Sequence, residues 1–264
     1  MKNKEYTLIT GASSGIGKAL AFRCAARQMN LVLVALPCTG LRETAEEISE
    51  KYGTDVKIYE ADLTENSIAE RIHTWCEEEK IQIKYLINNA GMGYAAAFET
   101  VKMNFFNTMM KLNMNAVVAM THAFIPDLKK ISGAGILNVS SMASMLPIPN
   151  KSVYAASKSF VLSFSRAMYQ ELKSYNIHVS CLCPGAVPTS EQVKERMRNG
   201  GWIHKLFSSK AMTVAEKAVS RFLKAKPLII PNYADNIVFQ ISKLIPANIR
   251  IALMGRIMGF NKSK

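Results

Sequence analysis

Short apolar runs alternate with amphipathic stretches along most of this chain. Tyr6-Thr-Leu-Ile-Thr10 is β-prone, and Asn30-Leu-Val-Leu-Val-Ala35 is apolar throughout, the pattern of a parallel strand buried on both faces. Leu41 to Tyr52 predicts an amphipathic helix, and Asp55 to Tyr59 a third strand. A helix follows from about Thr64, its expected cap, to Lys80. Lys84-Tyr-Leu-Ile-Asn88 predicts a fourth strand running into Asn89-Ala-Gly91, and Phe105 to Lys130 a long helix. Gly135-Ile-Leu-Asn-Val-Ser140 and Ile177 to Cys183 predict strands five and six, with a helix between them that continues to about Tyr175. Thr213 opens another helix, Pro227 to Pro231 is a last short strand, and 236–260 holds helical pieces broken at Pro246.

Strands and helices alternate, no repeat interrupts them, and the length suits one large α/β domain spanning 1–264. That order implies a right-handed, doubly wound parallel sheet with helices on both faces. Residues 190–212 are polar and basic, yet carry Trp202, Ile203, Leu206 and Phe207, which suits a substrate lid with an apolar inner face. Residues 232–264 form a C-terminal helical extension.

Ligands of such sheets bind outside the carboxyl ends of the strands. Several motifs fall there together. Gly11-Ala-Ser-Ser-Gly-Ile-Gly17 links the first strand to a helix, so its backbone N–H groups and the helix dipole can meet a phosphate. Gly11 and Gly15 permit the tight turn, Gly17 a close approach of helix to strand or ligand, and Ser13 or Ser14 could cap the helix. Asp62 sits past the third strand, where it could bond an adenine amino group or, more commonly, its own backbone turn. Asn88 and Asn89 can bridge strands, Gly91 leaves room above a flat ligand, and Pro184-Gly185 turns the chain after strand six. Asn113 falls inside a helix, either bonded within or exposed as a surface polar group.

Chemistry concentrates between Ser141 and Lys158. Tyr154 and Lys158 lie four residues apart, on one face of a helix. A free phenol titrates near ~10, and a fixed positive charge beside it favours the phenolate. Ser141, at a strand end, could hold a substrate oxygen while Tyr154 gives or takes its proton. Most Tyr/Lys pairs on helices are only a packed ring and a solvated amine; the coincidence of strand-end motifs supports the catalytic reading.

Composition narrows the partners. Net charge is +13, from dispersed basic residues without a recognised nucleic-acid motif, so a phosphate-bearing cofactor is expected rather than nucleic acid. The five cysteines form no CxxC pair and no zinc-ligand spacing, and Cys181 and Cys183 fall inside a strand pattern. No structural metal and a cytoplasmic location are expected. The start of the chain carries no signal-peptide pattern, and no apolar run is long enough to span a membrane. The basic, apolar stretch Ile245 to Lys264 could contact an anionic membrane surface, but a packed terminal element is the commoner case.

These motifs, in this order, resemble the short-chain dehydrogenase/reductase family: Thr10-Gly-Ala-Ser-Ser-Gly-Ile-Gly17, Asp62, Asn88-Asn-Ala-Gly91, Asn113, Ser141, Tyr154-x-x-x-Lys158, and Pro184-Gly185 with Thr189. The similarity is to the ketone and aldehyde reductases of that family. It implies a Rossmann-type domain, a nicotinamide cofactor, and hydride exchange with a small to medium apolar carbonyl or secondary alcohol. It also implies a homodimer or homotetramer built through the helices that carry Asn113 and Tyr154. Tyr154 is then the general acid or base. Lys158 lowers its pKa and binds the nicotinamide ribose, Ser141 orients the substrate oxygen, and Asn113 positions a water. Cofactor contacts fall to Gly11, Ser13, Ser14, Gly15, Ile16, Gly17, Asp62, Leu63, Asn89, Ala90, Gly91, Tyr154, Lys158, Pro184, Gly185, Val187 and Thr189. Met92, Tyr94, Met142, Met145, Leu146, Trp202 and Phe207 supply an apolar pocket.

The cofactor's phosphate is decided after the second strand, where an acidic residue would hold a ribose hydroxyl and a basic one would accept a 2′-phosphate. The sequence there is Leu36-Pro37-Cys38-Thr39, with neither. NADP(H) is preferred and NAD(H) stays open. A dinucleotide-binding regulator or scaffold without turnover is the alternative to an enzyme.

Overall fold

A computed structural model describes residues 4–188 and 209–242, with Ile245, Pro246 and Ile249 beyond them. Seven strands form one all-parallel sheet: β1 Glu5–Thr10, β2 Asn30–Ala35, β3 Val56–Glu60, β4 Gln82–Asn88, β5 Gly135–Val139, β6 His178–Leu182 and β7 Leu228–Ile229. Their spatial order is β3-β2-β1-β4-β5-β6-β7. The order reverses between β1 and β4, and a crevice opens at such a switch point.

The helices cover both faces. They are α1 Gly15–Ala25, α2 Leu41–Tyr52, α3 Ile68–Glu78, α4 Met103–Met110, α5 Ala116–Leu128, α6 Ser152–Glu171, α7 Ala211–Phe222 and α8 Tyr233–Ser242. Successive side chains of a strand point to opposite faces. Leu31 and Leu33 of β2 therefore join Leu20 of α1, Ile48 of α2 and Phe222 of α7, while Val32 and Val34 join Ile72 of α3 and Phe124 of α5. A run apolar at every position is what two covered faces require. A third cluster gathers Leu162, Cys181, Cys183, Ile230 and Phe239, with Met142 and Met145 against it.

The structure revises several expected boundaries. α3 begins at Ile68 after Ser67, whose φ is +55°, so Thr64 does not cap it. Thr64 instead donates its N–H to Asp62 in the preceding turn. The long helix expected from Phe105 to Lys130 is divided: a widened π-helical turn, Lys111–Asn115, separates α4 from α5. α6 stops at Glu171 and a tighter turn, Lys173–Tyr175, follows. The final described helix begins at Tyr233, ahead of the expected Asn236. Thr189, Trp202, Phe207 and nearly all of the expected lid lie outside the described residues, as does most of the stretch after 242. Among the described residues, no helix is long and apolar enough to cross a membrane.

Candidate active site

The crevice begins where β1 ends. Gly11 and Gly15 have φ of +64° and +57°, conformations that a side chain disfavours. A Cβ on Gly17 would overlap the Gly11 carbonyl oxygen and the Asn89 amide, so only glycine lets α1 close onto this turn. Ser14 precedes α1 in an extended conformation without a side-chain cap, and the first turn of α1 carries no acidic residue. Ser13 and Ser14 are therefore not spent on capping, and the positive end of α1, from Gly15 and Ile16 onward, suits a pyrophosphate.

Asn89 faces this turn from the end of β4. Its Nδ2 donates to Thr10 O at 2.8 Å and Gly11 O at 3.1 Å, and the Thr10 hydroxyl accepts the Asn89 and Ala90 N–H groups at 2.9 and 3.0 Å. These bonds lock the two strand ends across the switch point. Below them Asn88 donates to Asn138 Oδ1 at 2.9 Å, its register partner on β5, and Asn138 donates to Ser165 Oγ of α6 at 2.9 Å. The asparagines do bridge strands. Asn138 and Ser165 were not singled out by sequence, because a buried polar group in an apolar run is legible only once its partner is known.

The alternative left open at Asn113 is resolved by burial. Its side chain is fully enclosed. It donates to Met92 O at 2.9 Å and Ser157 Oγ at 3.0 Å, and accepts from Met92 N at 2.9 Å. These bonds reach across to another segment, and the helix widens to a π turn where they are made. Ser157 stands in plain view inside Tyr154-Ala-Ala-Ser-Lys158, yet only its spatial neighbour gives it meaning.

Tyr154, Ser157 and Lys158 descend from the first turns of α6. The Ser141 hydroxyl faces the Tyr154 phenol closely enough to pull its pKa down. Ser141 is held in an extended conformation at the end of β5, its Oγ accepting the Ala143 N–H at 3.1 Å. Lys158 is buried and donates from Nζ to Val139 O at 3.0 Å, while the Ser140 hydroxyl donates to its carbonyl at 2.7 Å. Gly91 and Gly93 roof this group. A Cβ on Gly91 would sit 3.1 Å from both Asn113 Oδ1 and Lys158 Nζ, and one on Gly93 3.0 Å from the Tyr154 ring.

Burial dominates the protonation of both groups. It pushes the Tyr154 phenol above its ordinary value, against the opposing pull of the Ser141 hydroxyl. It pulls the Lys158 amine down to about 8. The sequence led us to expect a lysine that depresses the phenol. Here Lys158 is bonded to a carbonyl and is half-discharged near pH 8, so desolvation wins.

Other expected contacts are distributed unevenly. Asp62 accepts the Thr64 N–H at 2.8 Å, which is the common turn role, and Leu63 beside it is buried in the core. Pro184 accepts the Met142 N–H at 2.9 Å, tying the turn after β6 to the Ser141 segment, and Val187 is buried below. Tyr94 packs edge-on against Phe105, with ring centroids 5.2 Å apart. Met142 and Met145 are turned partly into the core, so they wall the site from beneath. After β2, Leu36 is 49% exposed and no charged side chain lies between it and Gly40. Lys18 is paired with Glu47 at 3.1 Å.

A family model described as short chain dehydrogenase matches residues 5–199. Human 17-beta-hydroxysteroid dehydrogenase type 3 is 35% identical over 195 residues, covering 70% of this chain and 60% of that protein. Very-long-chain 3-oxoacyl-CoA reductase of Anas platyrhynchos is 35% identical over 189 residues, with the same coverage of 70% and 60%. The chain thus spans about 60% of the length of the curated relatives it matches. A solved short-chain dehydrogenase from Sphingobium yanoikuyae in complex with NADPH is 27% identical, with a TM-score of 0.78 over 98% of this chain and 96% of that one. A solved 7beta-hydroxysteroid dehydrogenase shares the fold at a TM-score of 0.85 over 95% of this chain and 96% of that one, at 22% identity.

Proposed function

This chain belongs to the short-chain dehydrogenase family, and on that premise we propose that it is an NAD(P)-dependent oxidoreductase. Its substrate is a small to medium apolar ketone or the corresponding secondary alcohol. The observation that carries the reading is the Ser141 hydroxyl facing the Tyr154 phenol, with a buried Lys158 one turn further along the same helix, at the carboxyl ends of the strands.

A bound nicotinamide supplies the hydride chemistry. The glycine turn and the start of α1 would hold its pyrophosphate, and the Lys158 amine would bind its ribose hydroxyls. Ser141 donates a hydrogen bond to the carbonyl oxygen, and Tyr154 delivers a proton to that oxygen as negative charge develops on it. A phenol held above its usual pKa keeps its proton at neutral pH, the form that can protonate a carbonyl oxygen. In the oxidative direction Tyr154 must take the alcohol proton, and higher pH helps it. Asn113, anchored by Met92 and Ser157, keeps the α4–α5 turn against Lys158 and so fixes the amine's surroundings.

NADP(H) is favoured. No carboxylate follows β2 to hold a ribose hydroxyl, and the NADPH-bound Sphingobium neighbour supports the same choice. The printed names of the relatives, a hydroxysteroid dehydrogenase and a 3-oxoacyl-CoA reductase, support a ketone or alcohol as the reacting group. The assembly is a homodimer or homotetramer through the faces of α4, α5 and α6.

The test is Tyr154→Phe. Turnover of a ketone panel should fall about 10²–10⁴-fold while NADPH affinity, followed by fluorescence titration, is nearly unchanged. Unchanged turnover removes the mechanism. The same titrations with NADH compare the two cofactors directly.

A further inference from the structure

Asp235 lies in the first turn of α8, beyond the residues that the family model matches. Only 4% of it is exposed. The backbone N–H of Gly185 lies near enough to act on its carboxylate, and Oδ2 is buried without a hydrogen-bond partner among the described residues. Burying a carboxylate with half its acceptors unused is destabilising, so its presence calls for a reason other than stability. Capping of α8 is not the reason. Asn232 already does that, its Oδ1 accepting the Ala234 N–H at 2.9 Å.

The surroundings supply one. Gly185 belongs to the turn after β6, whose Pro184 carbonyl takes the Met142 N–H, so this turn is joined directly to the segment that presents Ser141. One helical turn past Asp235, Phe239 of α8 enters the cluster of Cys181, Cys183, Leu162, Met142 and Met145. α8 is therefore docked at two points: an apolar one beneath the Ser141 segment, and a polar one on Gly185. Burial pushes the Asp235 carboxyl up to about 6, and the Gly185 N–H opposes that shift, so the acceptor is still charged at neutral pH.

We propose that Asp235 is a positioning residue that holds the Pro184–Val187 turn, through the Gly185 N–H, in the shape that receives the nicotinamide end of the cofactor. This rests on the cofactor reading given above. The C-terminal helix then contributes to cofactor affinity without touching the cofactor.

The experiment is NADPH titration of the full chain, with thermal midpoints measured alongside. Asp235→Ala should raise the NADPH dissociation constant about tenfold, the effect of losing one hydrogen bond to a charged group. Asp235→Asn, which keeps an acceptor for Gly185, should stay within about threefold of the unsubstituted chain. Phe239→Ala should lower the thermal midpoint at least as much as Asp235→Ala, yet leave NADPH affinity within about threefold. If alanine does not fold, Asp235→Leu fills the same space without an acceptor and should show the same tenfold weakening. NADPH binding unchanged in Asp235→Ala or Asp235→Leu overturns the proposal. So does equal weakening in Phe239→Ala, which would make the effect one of helix docking alone. An unsubstituted chain that binds neither NADPH nor NADH removes the cofactor reading and this proposal together.

Discussion

Lys158 shows how far one residue can be pulled between stability and chemistry. Lowering its pKa from 10.5 to about 8 by burial corresponds to a penalty on the order of 3 kcal/mol at neutral pH. Lys158→Met removes that penalty and loses the bond to Val139 O, worth about 1 kcal/mol. The variant should therefore be about 2 kcal/mol more stable at pH 7, with turnover lost. The sign with pH follows from linkage. Below about 10.4 the unfolded lysine is charged, and the folded one is charged only below about 8. Raising the pH through that window relieves the folded chain, so the advantage of the variant should shrink between pH 8 and 10.5. Urea denaturation at pH 7 and pH 10 measures it, and an equal gap at both would refute the assignment. The residue types of this site are readable in the sequence because Tyr154 and Lys158 share one helix and Ser141 ends an apolar run. The protonation is not readable, since it depends on how much water the fold excludes.

Elements fix the spacing that residues cannot. Gly53, after α2, and Gly17, in the first turn, illustrate the difference between a backbone need and a packing need. Gly53, with φ of +65° and open space about it, needs only conformational freedom, so Gly53→Ala should cost about 1–2 kcal/mol. Gly17 is helical and carries α1 onto the Gly11 carbonyl, so Gly17→Ala forces backbone apart and should cost more than about 4 kcal/mol. Equal losses in denaturant titrations would mean that α1 is not held by close approach. The long helix through Asn113 was expected as one piece, because its apolar periodicity is continuous. Its π turn is set by the bonds of Asn113 to Met92 and Ser157, which no local pattern encodes. α3 likewise starts late, because Asp62 takes the Thr64 N–H into a turn first.

Among the described residues, α4, α5 and α6 each leave large apolar side chains exposed. Phe160 of α6 is 39% exposed and stacked on Phe164 at 6.0 Å, and Val118 of α5 and Met103 of α4 are exposed as well. Such exposed residues on the helices of the proposed interface fit a dimer or tetramer. Sedimentation of the full chain should report an oligomer at micromolar concentration, and Phe160→Asp should shift it toward monomer. A monomeric unsubstituted chain would remove the assembly.

Periodicity and motif order were enough for the alternating parallel sheet and for the places where ligand chemistry gathers, because strand length, covered faces and glycine turns are local properties of the chain. Folding alone set the Asn88–Asn138–Ser165 ladder, the widened turn at Asn113, the raised phenol and the burial of Asp235 beside Gly185. Each of these joins groups far apart in sequence, and its energy depends on burial that exists only when the pieces are packed together.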